Sequence, residues 1–82
     1  MKYLVLGSGR MGYAVAYDLL RSPKVTKVVI TDIDEQRVKL LTAKLADSKI
    51  VPAVLDVNNQ IEVAQLMDEI DVAISCVGYQ YN

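Results

Sequence analysis

The hydrophobic positions of this chain follow two alternating patterns from one end to the other. Short apolar runs rich in β-branched residues are separated by longer stretches in which apolar residues recur every three or four positions. The runs predict strands and the stretches predict amphipathic helices. No repeat or low-complexity linker interrupts the alternation. The four predicted strands are Tyr3–Leu6, Lys27–Thr31, Ile50–Leu55 and Val72–Val77.

The three predicted helices have recognisable ends. The first spans Arg10–Arg21 and ends ahead of Pro23, because a residue before proline is pushed out of the helical region. Asp34 is a suitable N-cap for the second helix, and Asn58 or Asn59 for the third. The positions expected to face the core are Met11, Val15 and Leu19 in the first helix, Val38, Leu41 and Leu45 in the second, and Val63, Leu66, Met67 and Ile70 in the third.

The order of these elements predicts an α/β fold. Strand and helix alternate as βαβαβαβ, and right-handed crossovers make all four strands parallel. If the first two crossovers run in one direction and the third in the other, the strand order is 3-2-1-4. This order places the third strand at an edge of the sheet, where its Pro52 is tolerated because an edge position does not need every ladder donor.

Composition narrows the classes of function. The 82 residues are 52% hydrophobic without Trp or Phe, so the core must be aliphatic, as in a parallel sheet covered by helices. A net charge of −1 gives no electrostatic footprint for nucleic acid, and no apolar run is long enough for a membrane span. We therefore expect a cytoplasmic protein. With no His and a single cysteine, Cys76, we expect no disulfide and no metal site.

Three glycines between the first strand and the first helix fit the pattern G-x-G-x-x-G. Gly7 would let the chain turn sharply out of the strand, Gly9 would leave room for a pyrophosphate, and Gly12 would let the helix pack closely. Amides of the first helical turn would then point at the phosphates. The pattern alone is weak evidence, but its position between a strand and a helix favours dinucleotide binding over a purely structural turn.

An acidic residue in the expected place strengthens this interpretation. Asp32 ends the second strand 20 residues beyond Gly12, where a carboxylate of a Rossmann-like fold accepts hydrogen bonds from the adenosine ribose. A carboxylate would repel a 2′-phosphate, and the residues that follow are Ile33, Asp34 and Glu35 rather than Arg or Lys. The sequence therefore favours NAD over NADP.

Further candidates for cofactor binding lie in the glycine loop and after the third and fourth strands. They are Arg10, Met11, Asp56, Val57, Cys76 and Val77. Three of them have an alternative interpretation: Arg10 as a solvated side chain, Asp56 as a residue that leads into a helix, and Cys76 as a small buried thiol. Arg37 is the cation nearest to Asp32 along the second helix, and we expect it to face solvent.

The last ten residues, AISCVGYQYN, resemble the end of the fourth strand in the saccharopine dehydrogenase and lysine 6-dehydrogenase group of enzymes. Members of this group have an apolar strand, a small polar residue and then a tyrosine, which correspond here to Val72–Ile74, Ser75 and Tyr79. With GSGRMG and TDID, the resemblance covers essentially the whole chain. The sequence departs from several relatives at Gly78, where they have proline, and at Asn82, where they have histidine.

The resemblance implies NAD(P)-linked oxidation of a carbon that bears an amine, in lysine or a lysine adduct, with residues 75–79 beside the nicotinamide. We expect residues 1–82 to be the truncated N-terminal part of a Rossmann domain, without the substrate domain and without catalytic residues of its own. The amino-acid substrate would bind through that other domain. The exposed edge of the fourth strand predicts a homo-oligomer. The alternative function is a non-catalytic, NAD(H)-sensing regulatory domain.

Overall fold

A computed structural model of the protein describes residues 1–7, 9–56 and 58–76. The sheet is parallel throughout and has the order β3-β2-β1-β4, which confirms the predicted α/β, Rossmann-like architecture. The elements in chain order are β1 (Lys2–Leu6), α1 (Arg10–Leu20), β2 (Lys27–Asp32), α2 (Glu35–Leu45), β3 (Ile50–Val54), α3 (Gln60–Met67) and β4 (Val72–Ser75).

The register of the sheet places β1 at its centre. Leu4 lies opposite Val29 of β2 on one side and Ala73 of β4 on the other. The strand β3 forms the edge beside β2, with Pro52 opposite Ile30, as the position of the proline predicted. An edge position suits proline because its missing amide proton is not needed for a further ladder bond.

The main core lies between the sheet and the two helices α1 and α2. Apolar side chains of β1, β2 and β3 pack there against Ala16 of α1 and Leu41 of α2. Right-handed crossovers place α1 and α2 on the same face of the sheet, and α3, whose crossover runs in the opposite direction, on the other face. The cluster consists of Val5, Ala16, Val25, Val28, Ile30, Leu41 and Ile50.

The helix α3 contributes less to the core than its apolar spacing predicted. It contains no fully buried residue, and it ends at Met67, so that Ile70 lies beyond it. Met67 is itself 45% exposed. A helix of eight residues offers only two turns for packing, which limits the apolar surface that it can cover.

Met11 is a second departure from the predicted core. Its side chain is 66% exposed, whereas Gly12 and Ala16 are the buried residues of α1. The close approach of Gly12 to the sheet sets the rotation of the helix and turns position 11 away from the core. In the first turn of α1, the buried position is therefore Gly12, one residue after the position that the apolar spacing predicts.

Several element ends also differ from the prediction. The strand β4 ends at Ser75 rather than Val77, and Val77 lies outside the described residues. The helix α1 ends at Leu20 with Arg21 as its C-cap. None of the helices in the described part of the chain is both long and apolar enough to cross a bilayer.

Candidate functional site

The candidate site lies at the carboxyl edge of the sheet, where the loops after the strands are joined by backbone hydrogen bonds. The amide of Gly7 donates to the carbonyl oxygen of Thr31 at 2.9 Å, and the amide of Leu55 donates to that of Asp32 at 2.9 Å. Across the other side of β1, the amide of Cys76 donates to the carbonyl oxygen of Leu6 at 2.7 Å. These bonds hold the four strand ends at one edge.

The glycine loop has a different geometry at each of its three glycines. Gly7 has a φ of 98°, a left-handed conformation that favours glycine. A Cβ at Gly12 would lie 2.4 Å from the carbonyl oxygen of Gly7, closer than real contacts allow. A Cβ at Gly9 would meet nothing within 4 Å. The turn and the tight packing thus need Gly7 and Gly12, while Gly9 borders open space. Ser8 lies outside the described residues.

The N-terminus of α1 points its electrostatic field toward that open space. Gly9 is the N-cap, and its carbonyl oxygen accepts the first helical hydrogen bond from the amide of Tyr13 at 2.9 Å. The structure shows neither a side-chain cap on this helix nor an acidic residue in its first turn. The first-turn amides and the positive end of the helix dipole are therefore not neutralised by a carboxylate of α1, an arrangement that suits an anionic ligand.

The carboxylate of Asp32 lies next to the residue that anchors the glycine loop. The Thr31 carbonyl oxygen holds Gly7, and the buried Thr31 hydroxyl donates to the carbonyl oxygen of Val5 at 2.9 Å. Asp32 is half-buried and its Oδ1 accepts from the amide of Asp34 at 3.0 Å, which orders the loop into α2. The sheet thus fixes the backbone that carries this carboxylate.

The start of α2 agrees with the predicted cap. Asp34 Oδ1 accepts from the amide of Gln36 at 2.9 Å, which makes Asp34 the N-cap. Arg37 Nε lies 3.8 Å from Asp34 Oδ2, and both side chains are well exposed, so this ion pair contributes little to stability. Arg37 faces solvent, as expected, while remaining beside the loop.

The loop after β3 contains the same kind of side-chain hydrogen bond as the loop after β2. Asp56 Oδ1 accepts from the amide of Asn58 at 2.9 Å, as Asp32 Oδ1 does from Asp34. Of the two asparagines proposed as the cap of α3, Asn59 has this position, and its side chain accepts from the amide of Glu62. Val57 lies outside the described residues.

The thiol of Cys76 follows β4 at the same edge. The side chain is half-buried and packs against the main core, and desolvation by burial raises its pKa. A raised pKa keeps the group as a thiol near neutral pH, which suits a packing role better than that of a nucleophile.

A cavity between α1 and α2 adds residues that sequence reasoning missed. It has a volume of about 410 Å³, begins at Gly9, and its lining includes the apolar side chains of Leu40 and Leu41. The other lining residues are Arg10, Tyr13, Arg37 and Lys44, and Lys44 Nζ lies 5.7 Å from the centre of the Tyr13 ring. Within each helix these residues are spaced at three, four or seven positions, but only the packed fold brings the two sets together.

Comparison with known proteins gives one family match. The family model described as the saccharopine dehydrogenase NADP-binding domain matches residues 3–82. A search of the solved structures finds no match. The family match covers the glycine loop, Asp32 and the loops after β3 and β4.

Proposed function

The chain belongs to the family of the saccharopine dehydrogenase NADP-binding domain, and on that premise we propose that it is the cofactor-binding portion of an NAD-dependent amino-acid dehydrogenase. The family match supports a dinucleotide-binding part of a dehydrogenase. The observation that carries the proposal is the geometry of the glycine loop. Open space at Gly9 faces the uncapped first turn of α1.

In this proposal the pyrophosphate lies over Gly9. The first-turn amides of Arg10, Met11 and Gly12 would donate to its oxygens, since helix N-termini bind phosphate through such amides. The Arg10 side chain is exposed and lines the adjoining cavity, so that it can reach the same phosphates. Gly7 would support this arrangement through the turn, and Gly12 would add the close packing of α1.

Five further residues would complete the cofactor site. Asp32 would accept hydrogen bonds from the adenosine ribose, and Asp56 with Val57 would border the adenine ring. Cys76 and Val77, after β4, would lie toward the nicotinamide. The position of Asp32, Asp56 and Cys76 around one sheet edge supports the assignment, because ligands of doubly wound sheets bind outside the carboxyl ends of the strands.

We propose a preference for NAD. The support is the Asp32 carboxylate at the end of β2, followed by the exposed carboxylates of Asp34 and Glu35, which would repel a 2′-phosphate. A second candidate, NADP, is favoured by the name of the family model and by Arg10 and Arg37, which line one cavity beside Gly9. A guanidinium pair could hold a 2′-phosphate in that cavity.

Calorimetric titration with NAD and NADP tests both candidates. We expect NAD to bind more tightly, and Asp32→Asn to weaken NAD binding by about tenfold, the effect of losing one charge-assisted hydrogen bond. Asp68→Asn, at an exposed carboxylate after α3, is the matched control and should change neither affinity. The variant Arg10→Ala/Arg37→Ala should weaken NADP far more than NAD only if NADP is the cofactor. Tighter binding of NADP to the unchanged chain would contradict the NAD preference.

We propose that the amine substrate belongs to the lysine or saccharopine type. The support is the family match together with the likeness of residues 72–82 to the lysine 6-dehydrogenase group. The nicotinamide, when bound, accepts a hydride from the carbon that bears the amine, and the resulting imine is hydrolysed by water to a carbonyl and ammonia or an amine. The test is NADH formation by the complete protein with lysine or saccharopine. Dinucleotide binding without amine-dependent NADH formation would instead favour the NAD(H)-sensing function.

A further inference from the structure

Positive and negative charges are separated along this chain. Residues 1–49 contain all nine Lys and Arg side chains and five acidic ones, a net charge of +4. Residues 50–82 contain the other five acidic side chains and no Lys or Arg, a net charge of −5. The overall charge of −1 therefore conceals a strongly dipolar molecule.

The fold turns this separation in sequence into a separation in space. The crossovers place α1 and α2 on one face of the sheet and α3 on the other. The core cluster agrees, because it joins α1 and α2 to the sheet. One face thus carries an excess of cations, and the opposite face carries the acidic side chains of α3 and of the turn that follows it, Glu62, Asp68 and Glu69.

The cationic face contains a groove between the two helices, which we call the α1–α2 groove. Its floor and walls include Tyr13, Tyr17 and Leu40, and the two tyrosine rings are stacked at 6.2 Å. Arg21 lies 5.8 Å from the Tyr17 ring and Lys44 lies 5.7 Å from the Tyr13 ring. The groove is therefore aromatic along its length and cationic at its sides. Asp47 also lines it, with one carboxylate oxygen held by the Lys49 amide.

The outer face of α3 has the complementary chemistry. Ile61 is 72% exposed, Met67 is also exposed, and Glu62, Asp68 and Glu69 are exposed beside them. The eight residues of α3 span about 12 Å, the same length as the eight-residue α1 segment from Tyr13 to Leu20, at about 1.5 Å per residue. An amphipathic helix of this kind fits a groove between two helices.

We propose that the α1–α2 groove of one copy of the chain binds α3 of a second copy. Ile61, the most exposed large apolar side chain of α3, would cover the tyrosine rings, while Glu62 and Glu69 would lie near Lys44 and Arg21. Charge complementarity selects this occupant, because two grooves would repel one another, as would two α3 helices. The two surfaces lie on opposite faces, so a copy cannot satisfy its own groove, and the contact joins copies head to tail.

The salt dependence of self-association is the first test. Sedimentation velocity on the natural chain should show reversible association that grows with concentration, weakened at least tenfold when NaCl is raised from about 20 mM to about 500 mM, because screening shortens the reach of exposed charges. A monomer at both salt concentrations would overturn the proposal. So would association that does not respond to salt, which is the behaviour expected of pairing along the edge of β4.

A pair of charge-reversed variants is the sharper test. Arg21→Glu/Lys44→Glu reverses two charges beside the groove, and Glu62→Lys/Glu69→Lys reverses two charges on and after α3. All four side chains are exposed, and circular dichroism checks that each variant folds. Each variant alone should stay monomeric, since its groove and its α3 then carry charges of the same sign. An equimolar mixture should associate again. Mixed variants that remain monomeric, or single variants that associate like the natural chain, would contradict the proposed contact.

The α1–α2 groove adjoins the proposed cofactor site, because Tyr13 and Lys44 line the cavity that also contains Gly9, but separate measurements report on the two proposals. Calorimetric titration with NAD reports on the carboxyl edge of the sheet, whereas sedimentation reports on Arg21, Lys44 and α3. Failure of one measurement therefore leaves the other proposal intact.

Discussion

The two faces of the sheet differ in how firmly their helices are held. On one face, α1 and α2 bury Ala16, Val38 and Leu41 against the strands. On the other, α3 has no fully buried residue and exposes most of Ile61. Since burial of apolar area is the main stabilising term in folding, α1 and α2 contribute more to stability than α3 does.

The same difference separates two functions of the fold. The glycine loop and Asp32 lie at the carboxyl edge of the sheet, beside the face that α1 and α2 cover. Their positions depend on tight packing and on hydrogen bonds to the sheet. The face that α3 covers carries acidic side chains and exposed apolar ones, which suit contacts with another molecule. Rigid placement of the candidate cofactor site thus does not require a well-packed α3.

Truncation of one leucine on each face should give the largest contrast in stability. Leu41→Ala in α2 removes a side chain that is 5% exposed, and we expect a loss of about 3 kcal/mol in the free energy of unfolding. Leu66→Ala in α3 removes a half-buried side chain, and we expect about 1 kcal/mol. Urea denaturation measures both. Equal losses would mean that α3 is packed as firmly as α2.

The second contrast lies within the glycine loop. Gly12→Ala places a methyl group 2.4 Å from the Gly7 carbonyl oxygen, so the helix must move, at an expected cost of about 2 kcal/mol of stability. Thermal or urea unfolding of the variant measures this loss. A stability within error of the natural chain would show that α1 shifts freely on the sheet, against the firm packing described here.

Gly9→Ala is the matched control for that variant and a test of the site. Chain neighbours aside, its methyl group meets no atom of the described residues within 4 Å, so stability should fall by less than about 1 kcal/mol, the cost of alanine at an N-cap. The same methyl group would enter the space proposed for the pyrophosphate. We therefore expect NAD affinity to fall by tenfold or more in calorimetry. Unchanged affinity would mean that the phosphates do not lie at Gly9.

Sequence reasoning predicts the strand order and the glycine turn, but not how the helices pack. Gly7, Gly9, Gly12 and Asp32 were predicted because local chemistry at fixed spacing determines them. The strand order followed from crossover handedness and from Pro52. Exposure of Met11 was missed because it depends on how closely Gly12 approaches the sheet, which periodicity does not contain.

The groove between α1 and α2 could not be predicted either. Arg10 and Tyr13 are three positions apart on one helix, and Arg37 and Lys44 are seven apart on another, spacings that many solvated helices share. Their meeting at one cavity depends on the packing of two helices that are distant in sequence. The weak packing of α3 could likewise not be predicted from the sequence, because its apolar residues have the spacing of a buried helix.

The two helix caps should show a smaller contrast. Asp34→Ala removes the side-chain acceptor for the Gln36 amide and should cost about 1 kcal/mol of global stability, because α2 unfolds together with the core. Asn59→Ala removes the acceptor for the Glu62 amide but should lower global stability less. Hydrogen exchange should instead show faster local opening of α3, since a weakly packed helix can open without the rest. Equal effects on global stability would mean that α3 unfolds only with the core.

The smallest effect concerns Cys76, which reports on opening at the end of β4. Burial raises the pKa of its thiol in the folded chain, so the folded state favours the protonated form. The resulting stability is fully present below the unfolded pKa and is lost as pH rises through the folded pKa. Alkylation by iodoacetamide near pH 8 should therefore be slower in the folded chain than in urea, because less thiolate is present.

The dependence of that alkylation on Leu41→Ala decides between two kinds of opening. If the end of β4 opens locally, the substitution in α2 leaves the alkylation rate nearly unchanged. If Cys76 becomes reactive only on global unfolding, a loss of about 3 kcal/mol raises the rate by about a hundredfold. We expect the first result, because β4 is the outer strand of the described sheet and its end can open while the core around Leu41 stays closed. A hundredfold increase would mean that the end of β4 opens only together with that core.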